Sequence, residues 1–368
     1  MIAPDSFKGS VSAVIAAEAM AAGWASVRPG DAIVLRPMAD GGEGTLDAFA
    51  SDYGGSVRVR TEVTGPDGRP VSAEWLRLPD GTAVIELAAA SGLHLLHPLL
   101  PLDAHTLGFG ELIAAALDAG ASRLILAIGG SASTDGGTGM LTALGARFLD
   151  DAGRPIELGN RGLANLDSID VGQLRSVPAG SLALSDVTNV LLGPDGAASV
   201  FGPQKGATAA QVRELDANLE RLVRVAGAAG VASISGSGAA GGTGFGLLRW
   251  DVPLVPGASK VGDLIGLPAA VASADLVITG EGRFDSQTAS GKVAHYVATL
   301  ARDAGVPAAL IAGSIGAPTD AFTDACSLVD LAGSVDAAIG DPSRWIVAAA
   351  AQLAARFAAR FASGQNSV

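Results

Sequence analysis

The chain has 368 residues, of which 49% are apolar and 17% charged, and its formal net charge is −13. That length favours two domains, and that balance excludes a disordered chain. The acidic excess argues against nucleic acid or an anionic membrane as partner, since both need a basic face.

Much of the apolar content is alanine, and no apolar run is long enough to span a bilayer. No basic segment followed by an apolar one opens the chain, so no signal peptide is expected. The single cysteine, Cys326, permits no intrachain disulfide and reads as a small buried apolar residue. A cytoplasmic protein is expected.

The opening "MIAP" reads as a very short strand, and Ser10 as the cap of a helix over 11–27. "DAIVLRPM" is a strand, "ADGGEGT" a glycine loop, and "LDAFASDY" a helix stopped by Gly54 and Gly55. Strand, helix, strand, helix is the rhythm of a parallel α/β sheet. From residue 56 apolar and polar residues alternate, broken by the turn signals "GPDGRP" and "LPDG", which predicts antiparallel strands.

A helix at 108–120 and a buried strand at 123–130 follow. The loop "SASTDGGTG" leads into a predicted helix at 140–149, and "SLALSDV" is strand-like. Residues 207–227 form an amphipathic helix with Val212, Leu215, Leu219 and Leu222 on its apolar face. The Gly/Ser-rich stretch 226–248 reads as loops. The α/β rhythm then returns, with strands at "ADLVITG", "PAALIAG" and "CSLVDLAG", a helix over 288–305, and a last helix capped by Asp341 with Pro342 first. The expected fold is α/β with two domains. A Rossmann-like parallel domain is built from both chain ends (1–55 plus 259–368), and an α+β domain (56–258) is inserted into it.

Chemistry concentrates in the loops. Only four lysines occur, and three of them, Lys8, Lys205 and Lys292, touch a glycine. A lysine is a compact point charge on a flexible stem, suited to meeting an anion. Glycine-rich loops recur after strands: "ADGGEGT", "IGGSASTDGGTG", "SGSGAAGGTGFG" and "TGEGRFDSQTASGK". Glycine lets backbone approach a ligand, and exposed N–H groups attract anions. A chain with 50 glycines makes some such loops without purpose, but these four also carry charged residues.

The Walker A pattern fails, because Val293 follows Gly291-Lys292 and Ser286 stands where its first glycine belongs. G-x-G-x-x-G matches Gly236–Gly241, yet without a clear following helix or an acidic strand end, so a nicotinamide site is disfavoured. Asp5, Asp40, Asp135, Asp186 and Asp285 each sit after a strand or beside glycines. Any one is as easily a turn or helix cap, and Asp135 especially so. Together they suit Mg2+ binding and a base for an attacking hydroxyl. His94 and His97 lack an acidic or cysteine partner nearby and read as an apolar surface turn. Phosphoryl transfer to a small anion fits this set best, because it needs positioning, Mg2+ and positive clamps.

The chain also resembles the bacterial glycerate kinase family, the type that makes 2-phosphoglycerate. The resemblance rests on "IAPDSFKGS", "PMADGGEGT", "IELAAASGL", "TLGFGELI", "AIGGSASTDGGTGM", "SDVTNVLLG", "FGPQKGA", "GSGAAGGTGFGL" and "ADLVITGEGRFDSQTASGK", in that order. It implies phosphorylation of D-glycerate by ATP with Mg2+, at a site in the cleft between two domains; monomer and homodimer both stay open from the sequence. Where the family usually has "CDV" and "NPL", this chain has Ser185–Val187 and Asn189–Leu191, changes that remove no charge.

Roles follow as expectations. Lys8, Arg283 and Lys292 would clamp carboxylate and phosphates. Asp5, Ser6, Gly41, Gly42 and Glu43 would line the substrate. Asp40, Asp186 and Asp285 would divide the base role and metal binding, with Asp186 and Asp285 on Mg2+. Gly129, Gly130, Ser131, Ser133, Asp135, Lys205, Gly238, Gly241 and Gly242 would hold the nucleotide. Two rival readings are a kinase for another small hydroxy or sugar acid, and a nucleotide or metabolite sensor without turnover.

Overall fold

The computed structural model describes residues 1–7, 9–285 and 293–364. The chain folds as two compact units. One comprises Met1–Asp40, Asp47–Gly54 and Ala258–Val368, the other Gly41–Leu46 and Gly55–Gly257. The glycine loop after Asp40 thus belongs to the larger unit, where the sequence suggested the smaller.

The larger unit begins with strands β1 (Val57–Thr64), β2 (Pro70–Arg77) and β3 (Thr82–Glu86). The two turn signals act as expected. Gly68 takes φ 85° at the first, Gly81 φ 82° at the second, and the strands pair antiparallel, with Thr64 opposite Pro70 and Arg77 opposite Ala83. From β3 onward the sheet turns parallel. β4 (Arg123–Ala127), β7 (Leu182–Leu184) and β8 (Leu254–Val255) complete the order β1-β2-β3-β4-β7-β8. β3 is buried along its whole length and β4 along nearly all of it, as strands covered on both faces must be. Trp75, Ile85, Phe109, Leu124, Leu126, Leu219, Leu222 and Phe245 form the core around them.

Two expectations fail here. The helix predicted at 140–149 spans only Thr138–Ala143. Gly145, at φ 107°, breaks it, and Arg147–Leu149 becomes β5, paired antiparallel with β6 (Ser168–Asp170). The Gly/Ser stretch is not all loop, since it contains the helix Ala229–Ala232 and the element Ala239–Arg249, which is interrupted by non-helical backbone at Ala240, Gly241 and Gly242. Burial of Phe245 and Leu247 outweighs poor intrinsic helix propensity there.

The smaller unit is a parallel sheet in which β10 (Ala308–Ile315) lies between β9 (Val277–Phe284) and β11 (Asp324–Ser327). The two short opening strands reduce to a bridge ladder. Ile2 pairs in parallel with both Leu35 and Ile278 and so extends the sheet at the β9 side. "CSLVDLAG" divides, with strand up to Ser327 and helix over Leu328–Ala332, which the Ser327 hydroxyl caps by accepting from Asp330 N at 3.2 Å. Ser12, and not Ser10, caps the helix Ala13–Val27 by accepting from Ile15 N at 3.3 Å. That helix packs on Pro342–Gly364, with Trp24 and Phe357 rings 5.5 Å apart and Gly23 so close that a Cβ would meet Val347 O. Arg344 N donates to Asp341 at 3.3 Å, the cap expected for the last helix. No helix among the described residues is long and apolar enough to cross a membrane.

Candidate active site

Strands running parallel deliver all their following loops to one edge, the usual ligand edge of an α/β sheet. In the larger unit β3, β4, β7 and β8 end at such an edge. Glu86 closes β3, Gly129–Ser133 follow β4, and Asp186 follows β7.

The loop Gly41–Leu46 lies against these ends. Gly129 N donates to Gly41 O at 3.1 Å. A Cβ on Gly129 would stand 2.6 Å from Gly42 Cα, and one on Gly41 2.7 Å from Leu184 Cβ. Three glycines thus meet because no side chain fits between the backbones. Glu86, 8% exposed, accepts from Leu46 N at 2.8 Å and anchors the loop's far end. Sequence reading missed Glu86. Its only signal was an acid at the end of an otherwise apolar strand.

The loop after β4 is fixed from its buried side. Asp135 is fully buried, and its carboxylate accepts from Thr106 N at 2.9 Å, Thr106 Oγ1 at 2.7 Å, Gly137 N at 3.1 Å and Gly139 N at 3.2 Å. Those four donors make Asp135 a cap for two helices, the alternative the sequence left open for it. Asn160, also missed, donates to Thr134 O at 2.8 Å and is itself held by Asn218 at 3.0 Å. Ser131 and Ser133 hydroxyls bond to each other at 3.0 Å.

Lys205 approaches the same loop from its buried side. It is 2% exposed and its ammonium donates inward to the Ser133 carbonyl. Burial pulls its pKa from 10.5 down to about 8, while Asp135 pulls it back up. The loop Gly236–Gly242 interlocks with the same segment. Gly136 N donates to Gly241 O at 3.1 Å, and a Cβ on Gly241 would collide with Ser133 O. Ala240, Gly241 and Gly242 all adopt left-handed backbone, with φ of 52°, 66° and 87°. A non-glycine residue held there is strained, a condition found mostly at functional loops. Gly238 is pinned by donation to Asn189 O at 3.0 Å. The G-x-G-x-x-G spacing therefore serves loop-to-loop contact. Asp186 is half-buried, with Gly257 N donating to its Oδ1 at 2.7 Å.

In the smaller unit the same edge carries charged side chains. Asp5 is buried, its backbone N–H donates to Gly280 O at 2.8 Å, and its carboxylate accepts from Ser6 N at 2.7 Å. Arg283 and Asp285, at the end of β9, form an ion pair at 3.0 Å. Glu281, 7% exposed on the same strand, was not singled out by sequence. Asp40 is half-buried and Glu43 of the larger unit exposed. Lys8 and Lys292 lie outside the described residues. A cavity of about 570 Å3 opens at the opposite edge of this unit's sheet, among Trp24, Ile33, Leu276 and Phe357, and none of the singled-out residues lines it.

Mg2+ usually takes one or two carboxylates and completes its shell with water and phosphate oxygens. The donor set fits that habit. Among the described residues no three His, Cys, Asp or Glu side chains converge as a protein cage, whereas Asp186 offers a hard oxygen at a strand-end loop. His94 lies within the short helical turn Leu93–Leu95 and His97 two residues beyond it, and among the described residues neither belongs to such a group.

Mixed α/β units whose glycine loops and strand-end carboxylates gather at parallel sheet edges define an enzyme for small anionic ligands. Comparison with known proteins narrows this class. The glycerate kinase family model matches residues 1–358. Glycerate kinase of Bacillus subtilis (strain 168) is 48% identical over 332 residues, covering 87% of this chain and 86% of that protein. Glycerate 2-kinase of Escherichia coli K12 is 43% identical over 324 residues, covering 86% and 85%. A solved glycerate kinase 2 structure from Salmonella typhimurium LT2 is 41% identical, with TM-score 0.84 over 97% of each chain. The chain belongs to the glycerate kinase family and is a kinase.

Proposed function

We propose that the chain transfers the terminal phosphoryl group of ATP to D-glycerate and releases 2-phosphoglycerate. The observation that carries this reading is the family match along residues 1–358, which includes every loop described at the two sheet edges. The relatives' names, glycerate kinase and glycerate 2-kinase, support the substrate and the 2-position. The two compact units are taken as its two domains, and a cytoplasmic location belongs to the same reading.

In this reading the loops Gly129–Ser133 and Gly238–Gly242 meet the nucleotide phosphates through backbone N–H groups other than those of Gly129, Ala132, Ser133, Gly238, Ala239 and Gly242, which bond within the fold. Mg2+, when bound, neutralises charge on the phosphate oxygens. Asp186 and Asp285 are the carboxylates proposed for it. Asp40 remains a candidate base for the glycerate hydroxyl. Gly41, Gly42 and Glu43, with Asp5, Ser6, Lys8, Arg283 and Lys292, supply contacts to substrate and phosphate. Lysine and arginine there would meet the carboxylate and the migrating charge.

The test is direct. Purified protein with MgATP should consume ATP faster on addition of D-glycerate than of L-glycerate or lactate, and phosphorus NMR should identify 2-phosphoglycerate. Equal consumption with and without D-glycerate would refute the reading.

A further inference from the structure

Lys205 presents a conflict between fold and charge. Its ammonium is buried, and Asp135 is the one charged group that draws on it. Asp135 already has four donors of its own. The fold gains little from a charge in that place, since an apolar chain of similar length would fill the volume without desolvation. What the ammonium does is grip the Ser133 carbonyl.

That grip has a geometric consequence. A trans peptide is planar, so drawing the Ser133 C=O inward turns the Thr134 N–H the opposite way. The next carbonyl, of Thr134, is drawn by Asn160 at 2.8 Å. Gly241 closes against the Ser133 oxygen, leaving it no room to swing. The peptide planes of this loop are therefore set by side chains from elements far away in sequence.

We propose that Lys205 is a positioning residue: acting through Ser133, it orients the Gly129–Asp135 backbone that meets the nucleotide, and it does not touch the nucleotide itself. This deepens the reading of that loop as a phosphate cradle and rests on it. Preorganised backbone donors lose effect when allowed to rotate, so the loss should fall on nucleotide recognition.

The experiment compares wild type with Lys205→Met as full chains, by thermal unfolding with and without MgATP and by steady-state kinetics. K205M is expected to unfold, without ligand, at or above the wild-type temperature. Its KM for ATP should rise about tenfold or more, with KM for D-glycerate within about twofold. A fall in unfolding temperature beyond ~5 °C, with both KM values unchanged, would make Lys205 merely structural and overturn the proposal. A wild-type KM for ATP in K205M would overturn it as well. Should K205M fail to fold, Lys205→Arg decides by the same ratio of KM values, because a planar fork cannot reproduce a single point donor. If wild type itself gains no thermal stability from MgATP, the nucleotide reading fails and takes this inference with it. If wild type gains stability and K205M gains as much, this inference alone fails.

Discussion

The parallel sheet edges of the two units carry similar loops but are made by different means. The edge of the larger unit is a backbone construction. Gly41, Gly42 and Gly129 meet without side chains, and Asp135, Asn160, Glu86 and Lys205 spend their polar groups inward on the loops. The edge of the smaller unit displays charge, most plainly in Arg283, whose side chain is 75% exposed beside Asp285. The contrast separates two ways of meeting an anion. Fixed N–H groups need a rigid, crowded scaffold, and mobile charges need only a place to stand. Mutations of the interlocked glycines should therefore couple stability and activity at the first edge, and mutations of the exposed charges should uncouple them at the second.

The largest effect is expected from Gly241→Ala. The added Cβ would meet Ser133 O at a left-handed position, so neighbouring backbone has to move. A stability loss of about 3 kcal/mol or more is expected, with activity lost alongside. Denaturant unfolding and glycerate-dependent ATP consumption check this. A soluble variant with wild-type unfolding would show that the interlocked loops are not rigid.

Arg283→Ala should behave in the opposite manner. An exposed ion pair contributes little to folding, so the unfolding temperature should stay within ~2 °C of wild type. On the proposed role of Arg283 as a clamp on the phosphate, its loss should lower kcat/KM about a hundredfold. Near wild-type kinetics would remove Arg283 from the site, and a large drop in stability would erase the contrast between the edges.

The smallest effect is a dependence on pH. Lys205 has a folded pKa of about 8 against 10.5 for an unperturbed lysine. Below pH 8 both folded and unfolded chains carry its proton, and the full cost of burying the charge is present. Between pH 8 and 10.5 the unfolded chain holds a proton that the folded chain has released, so stability rises with pH through that window. The stability of wild type relative to K205M should increase by up to about 2 kcal/mol between about pH 7 and 9.5, measured by urea unfolding. A gap that stays constant, or moves the other way, would mean that Lys205 keeps its proton throughout.

Local chemistry was legible in the sequence where neighbours in the chain decide the outcome. "GPDGRP" and "LPDG" turned the chain between antiparallel strands, and Asp341-Pro342 began the last helix. Leu215, Leu219 and Leu222 are buried on one face of the helix Ala209–Val225, as their spacing required. The strand-end position of Asp186 and of the loop Gly129–Ser133 was also readable, because the alternation of strand and helix already implies a parallel sheet with a loaded edge, whereas Gly236–Gly242 follows the helix Ala229–Ala232 and not a strand. These features depend on backbone propensity and hydrophobic period, and both are written within a few residues.

Only tertiary structure decided what the buried polar groups do. Asp135 was open to either a cap or a ligand role and bonds to segments 29 residues apart in sequence, while Lys205 reaches 72 residues to Ser133 and Glu86 reaches 40 to Leu46. The helix within the glycine-rich stretch and the strand Arg147–Leu149 likewise depend on partners outside their own windows. A polar side chain taken out of water must find a donor or acceptor wherever the packed chain offers one, and its partner is set by the whole fold and not by its neighbours in sequence.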